Sequence, residues 1–204
     1  LSTLSAKVYI DATGDGDVAA WAGAPMTKGR PEDGAAQPMT MTVKYCGVDT
    51  EKLKGYVIAN PERFPKLSPH MEIFRQPVPV DLEGFDDEFS GAKAAGELSI
   101  RRENVLMFAT GRPGEYIMNT TRIVNHDATD AASLSEAEQI GRRQCAELDR
   151  FLRARVPGFE HAMLEFTGPT VGVRGSRQLV GRYTLTAEDI LERRKFPDTI
   201  AHSG

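Results

Sequence analysis

The stretch KVYIDATGDGDVAAWAGAP, residues 7–25, joins an apolar run to an acidic glycine turn and then to a run of small residues. Residues 8–10 are β-branched or aromatic, so they favour a buried strand. Gly14 and Gly16 permit positive φ or the close approach of another group. Asp17 is placed to cap a following helix. The stretch therefore predicts a strand, a glycine turn and a helix beside a ligand.

The three aspartates of this turn also suggest a calcium loop. An EF-hand loop needs oxygen ligands at fixed positions and a bidentate carboxylate at the twelfth. Counting from Asp11, position three is Thr13, position nine is Ala19 and position twelve is Ala22. No carboxylate closes the cage, so no metal site is predicted. An alternative interpretation is that the later aspartates only cap the helix and bend the chain.

The composition excludes several classes of partner. The chain of 204 residues has a formal net charge of −4, and its basic residues are interspersed with acids. This pattern offers no footprint for nucleic acid or an anionic membrane, and no apolar run is long enough for a membrane span. Cys46 and Cys145 lie far apart without a CxxC pattern, which predicts buried thiols and a cytoplasmic location.

Hydrophobic periodicity outlines the middle of the chain. Residues 39–46 alternate between apolar and polar or small side chains, which indicates a half-buried strand. Residues 103–110 and 115–124 indicate two more strands, joined as a hairpin by GRPG. Ser135 and Glu138 match a capping box at the start of the clearest helix.

The last third of the chain has two further local patterns. Val171 and Val173 suggest a short strand among glycines. Thr186 and Asp189 form a cap-like pair that starts a last helix. No internal repeat is present in the sequence.

Two polar segments are candidates for chemistry. Arg174 and Arg177 flank small residues, and two guanidinium groups can clamp a carboxylate or stabilise developing negative charge. Ordinary ion pairs explain these arginines as well. Asn119 and Arg122 are the first and last residues of a polar quartet, residues 119–122, inside a strand-like run. Such side chains either line a substrate pocket or face solvent.

With these residues laid out, the chain resembles the FAD-dependent oxidoreductase family, in the broad group that includes the flavoprotein subunits of fumarate reductase and succinate dehydrogenase. The matching segments are KVYIDATGDGDVAAWAGAP, GRPEDGAAQPMTMTVKYCGVD, YIMNTTRIVNHDATDAASLSEAE, QIGRRQCAELDRFLRARVPGFE and VGVRGSRQLVGRYTLTAEDI. They follow the family's order and cover most of the chain.

The resemblance implies an α+β fold in which a substrate or cap domain, residues 26–166, is flanked by remnants of a Rossmann-like FAD-binding domain, residues 1–25 and 167–204. It implies hydride transfer between a small-molecule substrate and FAD. Arg174 and Arg177 are the catalytic candidates, and Asn119 and Arg122 the substrate-binding candidates. The implied cofactor-binding residues are Asp11, Ala12, Thr13, Gly14, Asp15, Gly16, Asp17 and Ser176.

The chain departs from the family pattern at two places. The family segment that commonly reads R-E-S-R here has Gly175 in place of the acid, which removes a carboxylate. The GxGxxG motif that holds the FAD pyrophosphate is missing, so we expect an internal fragment of a longer enzyme that does not bind FAD tightly alone. The alternative is a non-catalytic binding or structural module with the same cap fold. The sequence is also compatible with a homo-oligomer.

Overall fold

The structure, a computed structural model, describes residues 3–200 and divides the chain into two compact units. Unit 1 combines Leu1–Lys28 with Arg177–Gly204, and unit 2 is Gly29–Ser176. Among the described residues, no helix has both the length and the apolar character that crossing a membrane requires.

Helices and short strands alternate along the described chain. In order they are α1 (Asp17–Trp21), β1 (Met26–Lys28), β2 (Val43–Cys46), α2 (Thr50–Ala59), α3 (Met71–Phe74), β3 (Leu82–Gly84), α4 (Asp86–Ala94), β4 (Val105–Ala109), β5 (Tyr116–Met118), α5 (Ala131–Arg155), β6 (Met163–Thr167), β7 (Arg177–Leu179) and α6 (Ala187–Leu191). Two 3-10 turns, Pro61–Arg63 and Ser68–His70, follow α2.

Unit 2 is built on a five-stranded antiparallel sheet with the order β3-β4-β5-β2-β6. The hairpin predicted around GRPG is confirmed, because β4 and β5 pair with Met107 opposite Met118. Strand β2 extends the sheet by pairing with β5 on one side and β6 on the other. The fold is therefore α+β with antiparallel pairing, as the sequence predicts.

One face of β2 and the residues before it is packed under helix α5. Met41, Val43 and Tyr45 are buried, whereas Thr42 is exposed, so the predicted alternation is confirmed there. The helix comes so close that a Cβ on Gly141 would lie 3.0 Å from the Cβ of Met41. This contact anchors the hydrophobic core, whose buried members all belong to unit 2.

The start of helix α5 differs from the sequence prediction. Its N-cap is Asp130, whose side chain accepts a hydrogen bond from the backbone of the third helical residue. The capping box predicted at Ser135 and Glu138 is wrong, because both residues lie inside the helix. The carboxylate of Glu138 instead accepts a hydrogen bond from the backbone of Val171.

Unit 1 contains the antiparallel pair β1–β7 and the short helices α1 and α6. The cap predicted for the last helix is confirmed: Thr186 accepts a hydrogen bond from the Asp189 backbone, and the Asp189 carboxylate accepts one from the Thr186 backbone. Asp189 also accepts a hydrogen bond from the Tyr183 hydroxyl at 2.5 Å. The capping box is thus the most tightly bonded polar feature of α6.

Three further local predictions are wrong. Residues 8–10 form no strand, because no described strand pairs with them, and they are exposed. Gly16, in the left-handed region, is the N-cap of α1, and Asp17 is its first helical residue. The strand expected near Val171 is reduced to one isolated bridge between Thr40 and Gly172.

Candidate functional site

Arg174 lies beside the sheet of unit 2 because the Thr40–Gly172 bridge brings the end of the unit next to the start of the β2 segment. Its Nη2 donates to Thr40 Oγ1 at 3.0 Å and to Asn119 Oδ1 at 3.1 Å. Asn119 follows directly after β5. The structure therefore brings together two of the sequence-predicted site residues, Arg174 and Asn119.

A second arginine, which the sequence analysis missed, also binds Asn119. Arg102 Nη1 donates to the Asn119 backbone oxygen at 3.1 Å, and its Nε lies 3.4 Å from Asn104 Oδ1. Burial lowers the pKa of Arg102, the carboxylate of Glu83 raises it, and the positive charges of Arg122 and Arg174 lower it further. Arg102 is thus a partly buried cation close to two other cations.

The carboxylates of Glu83 and Glu103 lie close enough to Arg102 to raise its pKa, but Glu83 also serves other partners. Glu83 forms an ion pair with Lys66 and accepts a hydrogen bond from Asn104 Nδ2 at 3.0 Å. We call Arg102, Arg122, Arg174 and Asn119 the arginine cluster. Its surplus positive charge suits a small anionic ligand.

Arg122 is positioned by helix α5. Its backbone N–H donates to Gln144 Oε1 at 2.9 Å, and Gln144 Nε2 donates back to the Arg122 oxygen at 3.1 Å. Its side chain lines an open hollow of about 400 Å³ together with Arg101, Arg143 and His126. The positive charge of the arginine cluster therefore continues into this hollow.

The two threonines between Asn119 and Arg122 are structural. The Thr120 hydroxyl bonds both backbone groups of Leu106, at 3.0 and 2.9 Å. The Thr121 hydroxyl does the same to Met41, with both distances 2.8 Å. These buried hydroxyls connect the segment after β5 to the segments that contain Leu106 and Met41. Within the polar quartet, the two threonines therefore stabilise the fold, whereas Asn119 and Arg122 are the site candidates.

In unit 1, the acidic glycine turn is held together by its own side chains. Asp11 Oδ1 accepts from the backbone and the hydroxyl of Thr13 at 2.9 and 2.7 Å, and its Oδ2 accepts from the Ala19 backbone at 2.8 Å. These bonds, chiefly the one from the Thr13 hydroxyl, lower the pKa of Asp11. Thr13 Oγ1 in turn accepts from the Asp17 backbone at 2.8 Å.

The open part of this turn is its backbone. Gly14 has φ +83°, and a Cβ built there would meet nothing within 4 Å. Ala12, Thr13 and Gly14 are exposed. The backbone at Gly14 is therefore accessible from outside the turn.

Arg177 holds the end of the turn, residues 15–17, within unit 1. Its Nη1 donates to the Asp15 backbone oxygen at 3.1 Å and pairs with the Asp17 carboxylate. Ser176 is half-buried and belongs to unit 2, as does Arg174. The two candidate catalytic arginines therefore have different surroundings: Arg177 binds the acidic turn, whereas Arg174 is exposed and binds Thr40 and Asn119.

Neither the turn nor the rest of the described chain presents a metal centre. Within residues 3–200, no group of three or more histidine, cysteine or acidic side chains is arranged to hold an ion. The carboxylate of Asp11 is occupied by backbone donors of its own turn. The geometry of the turn is therefore set by internal hydrogen bonds.

Comparison with protein families identifies the class of this α+β protein. Over residues 1–204 the chain matches the model of the family described as FAD dependent oxidoreductase. The chain belongs to that family, so it is related to redox flavoproteins, and the cofactor of the family is FAD. Comparisons with curated proteins and with solved structures found no match.

Proposed function

We propose that the chain is the substrate-binding part of an enzyme that transfers a hydride between a small anionic molecule and FAD, in the group that resembles fumarate reductase flavoproteins. The observation that carries this proposal is the convergence of Arg102 and Arg174 on Asn119, with Arg122 near enough to influence Arg102. Family membership supplies the redox cofactor. Cys46 and Cys145 are unpaired thiols, which favours a reducing cytoplasm.

FAD supplies the redox chemistry when it is bound. In unit 1, the exposed backbone of residues 12–14 would contact the cofactor, and Arg177 holds the following residues of the turn through Asp15 and Asp17. The open space at Gly14 supports this assignment.

The arginine cluster would bind and orient the substrate. A guanidinium group presents paired donors that match a carboxylate, and this preference is strongest where water is partly excluded. Arg102 is half-buried and held by Asn119, so it provides a fixed positive charge. Arg174 is more exposed and provides a second contact, which balances negative charge as the substrate reacts.

We also propose that a further part of the FAD-binding domain covers unit 1. Large apolar side chains of this unit are exposed, among them Ile10 at 88%, Trp21 at 80% and Leu191 at 82%. Exposed apolar groups in such number are typical of a surface that another element covers. That part would carry the loop that holds the FAD pyrophosphate.

The proposal is tested on the whole protein that the gene encodes. We expect one FAD per polypeptide by visible absorbance, and anaerobic flavin reduction or reoxidation by a member of a panel of small carboxylates. Arg174→Ala should slow that step at least tenfold, with Arg174→Lys in between, because a bidentate contact is lost. Arg153→Ala, on the exposed side of α5, is the matched control. A whole protein without FAD would overturn the proposal.

A non-catalytic module is the second candidate, and Gly175 is the feature that favours it. The family's acid is missing there, yet a Cβ at Gly175 would meet nothing within 4 Å. Gly175→Glu should therefore fold normally. If this variant gains flavin turnover that the natural protein lacks, the natural protein is the non-catalytic module.

A further inference from the structure

Unit 2 contains a second pocket, at the opposite end of β5 from the arginine cluster. Its volume is about 330 Å³, in the range of small-molecule sites. The start of α2, the segment 77–79 and the GRPG turn line it. Tyr116, the first residue of β5, lines this pocket, whereas Asn119 follows the last residue of β5.

Two buried hydroxyls at this pocket have unused hydrogen-bonding capacity. Tyr116 is only 1% exposed, and within residues 3–200 neither its hydroxyl nor that of Thr50 has a partner of good hydrogen-bond geometry. Burial raises the pKa of Tyr116, while the nearby Thr50 hydroxyl lowers it. Because a buried hydroxyl without a partner is costly, the pair points to a ligand atom that completes it.

A buried lysine faces the same pocket. Lys54 is 3% exposed, and its Nζ donates to the Gln76 backbone oxygen at 2.6 Å. The carboxylate of Glu51 lies 4.0 Å away and is itself 86% exposed, so it compensates the buried charge weakly. The first turn of α2, from Thr50, adds backbone N–H groups that favour a negative charge.

One wall of the pocket is apolar. It is formed by Pro77, Val78 and Pro79, with Ala109 and Pro113 beside them. The pocket thus combines hydrogen-bond donors with hydrocarbon surface, as small-molecule sites do, and the carboxylates of Glu51 and Glu115 also line it.

We propose that this pocket binds a small molecule with an apolar body and a carboxylate. Tyr116, Thr50 and Lys54 donate to the carboxylate, and the proline wall packs against the body. The site is separate from the arginine cluster, so its ligand is an effector or second ligand and not the molecule that reacts with flavin.

Benzoate is the probe, and isothermal titration of the purified chain is the measurement. We expect saturable binding of one benzoate, at least tenfold weaker binding of the uncharged benzyl alcohol, and at least tenfold weaker benzoate binding by Tyr116→Phe and by Lys54→Met. Tyr116→Phe should leave the thermal midpoint of the unliganded protein unchanged or raise it, since the hydroxyl that it removes is unpaired.

Tyr45→Phe is the matched control, because the Tyr45 hydroxyl has a partner, Asp149 Oδ1, at 3.2 Å. This variant should lower the thermal midpoint and keep benzoate affinity. The proposal is overturned if benzoate does not saturate, if benzyl alcohol binds equally well, or if Tyr116→Phe binds benzoate like the natural protein.

Discussion

Unit 2 and unit 1 are stabilised by different interactions. All members of the buried hydrophobic core belong to unit 2. Among residues 3–28 and 177–200, only Asp189 is buried, and the prominent contacts are polar, such as the pair of Arg177 with Asp17. Burial of apolar surface is the dominant source of stability, whereas ion pairs that keep contact with water, as the half-buried Arg177–Asp17 pair does, contribute less. Unit 2 therefore has a hydrophobic core of its own, and the described residues of unit 1 form none.

The largest difference between the units is expected from cavity-forming substitutions. Leu53 is fully buried in unit 2, so Leu53→Ala should lower the free energy of unfolding by about 2–5 kcal/mol. Leu191, 82% exposed in unit 1, is the matched control, and Leu191→Ala should change it by less than about 0.5 kcal/mol. Urea denaturation followed by circular dichroism measures both. Equal losses would refute the contrast.

Glycine substitutions should separate the units by a smaller amount. At Gly158, φ is +96° and a Cβ would lie 2.5 Å from the Asp49 backbone oxygen, so Gly158→Ala combines strain with overpacking. At Gly14 the φ is +83° but the space is open, so Gly14→Ala costs only the left-handed conformation, about 1–2 kcal/mol. Overpacking should make Gly158→Ala costlier by about 1–3 kcal/mol. Thermal denaturation of both variants measures the two losses of stability. A larger loss for Gly14→Ala than for Gly158→Ala would contradict the prediction.

Loss of a polar contact should also destabilise the protein more in unit 2 than in unit 1. Thr121→Val removes a buried hydroxyl that bonds both backbone groups of Met41, so it should cost about 1–3 kcal/mol. Asp17→Asn weakens the ion pair with Arg177 in unit 1 and should cost about 0.2–1 kcal/mol. Urea midpoints at low and high salt distinguish them, because only the ion pair is screened. A larger loss for Asp17→Asn would show that unit 1 depends on that pair.

The smallest effect concerns a thiol in the core of unit 2. Burial raises the pKa of Cys145 from 9.0 to about 11, so the thiolate fraction at pH 8 falls about a hundredfold. The Cys46→Ser variant should therefore react with a thiol reagent at least about a hundredfold more slowly when folded than in urea. Because the folded pKa is the higher one, this contribution to stability is complete below pH 9 and declines as the pH rises towards 11. Fast labelling of the folded variant would mean that the core opens.

Local patterns in the sequence were sufficient for part of the fold. The alternation around Val43, the GRPG hairpin and the Thr186 cap are confirmed, because each depends on neighbours in sequence. Residues 8–10 have high β propensity but no strand to pair with, and propensity alone does not form a strand. Asp130 was overlooked as a cap because Ser135 with Glu138 matched a known pattern better.

The arginine cluster was only partly accessible to sequence reasoning. Arg174 and Asn119 were identified by residue type, but they meet across 55 positions, and Thr40 lies 134 positions from Arg174. Arg102 has no distinctive neighbours in RRENV, so no local signal marked it. Its role follows from folding, which places its side chain against the Asn119 backbone. The assignments of catalytic, cofactor and substrate roles stay predictions.

Hydrogen exchange of the whole protein that the gene encodes, with and without FAD, tests the central claim, that unit 1 contacts the cofactor while unit 2 has its own core. We expect slow exchange in β2, β4 and β5 under both conditions. Exchange in unit 1 should be fast without FAD and slower at saturating FAD, with the largest change in residues 12–19. Unchanged exchange throughout unit 1, or FAD-dependent protection confined to unit 2, would contradict the account.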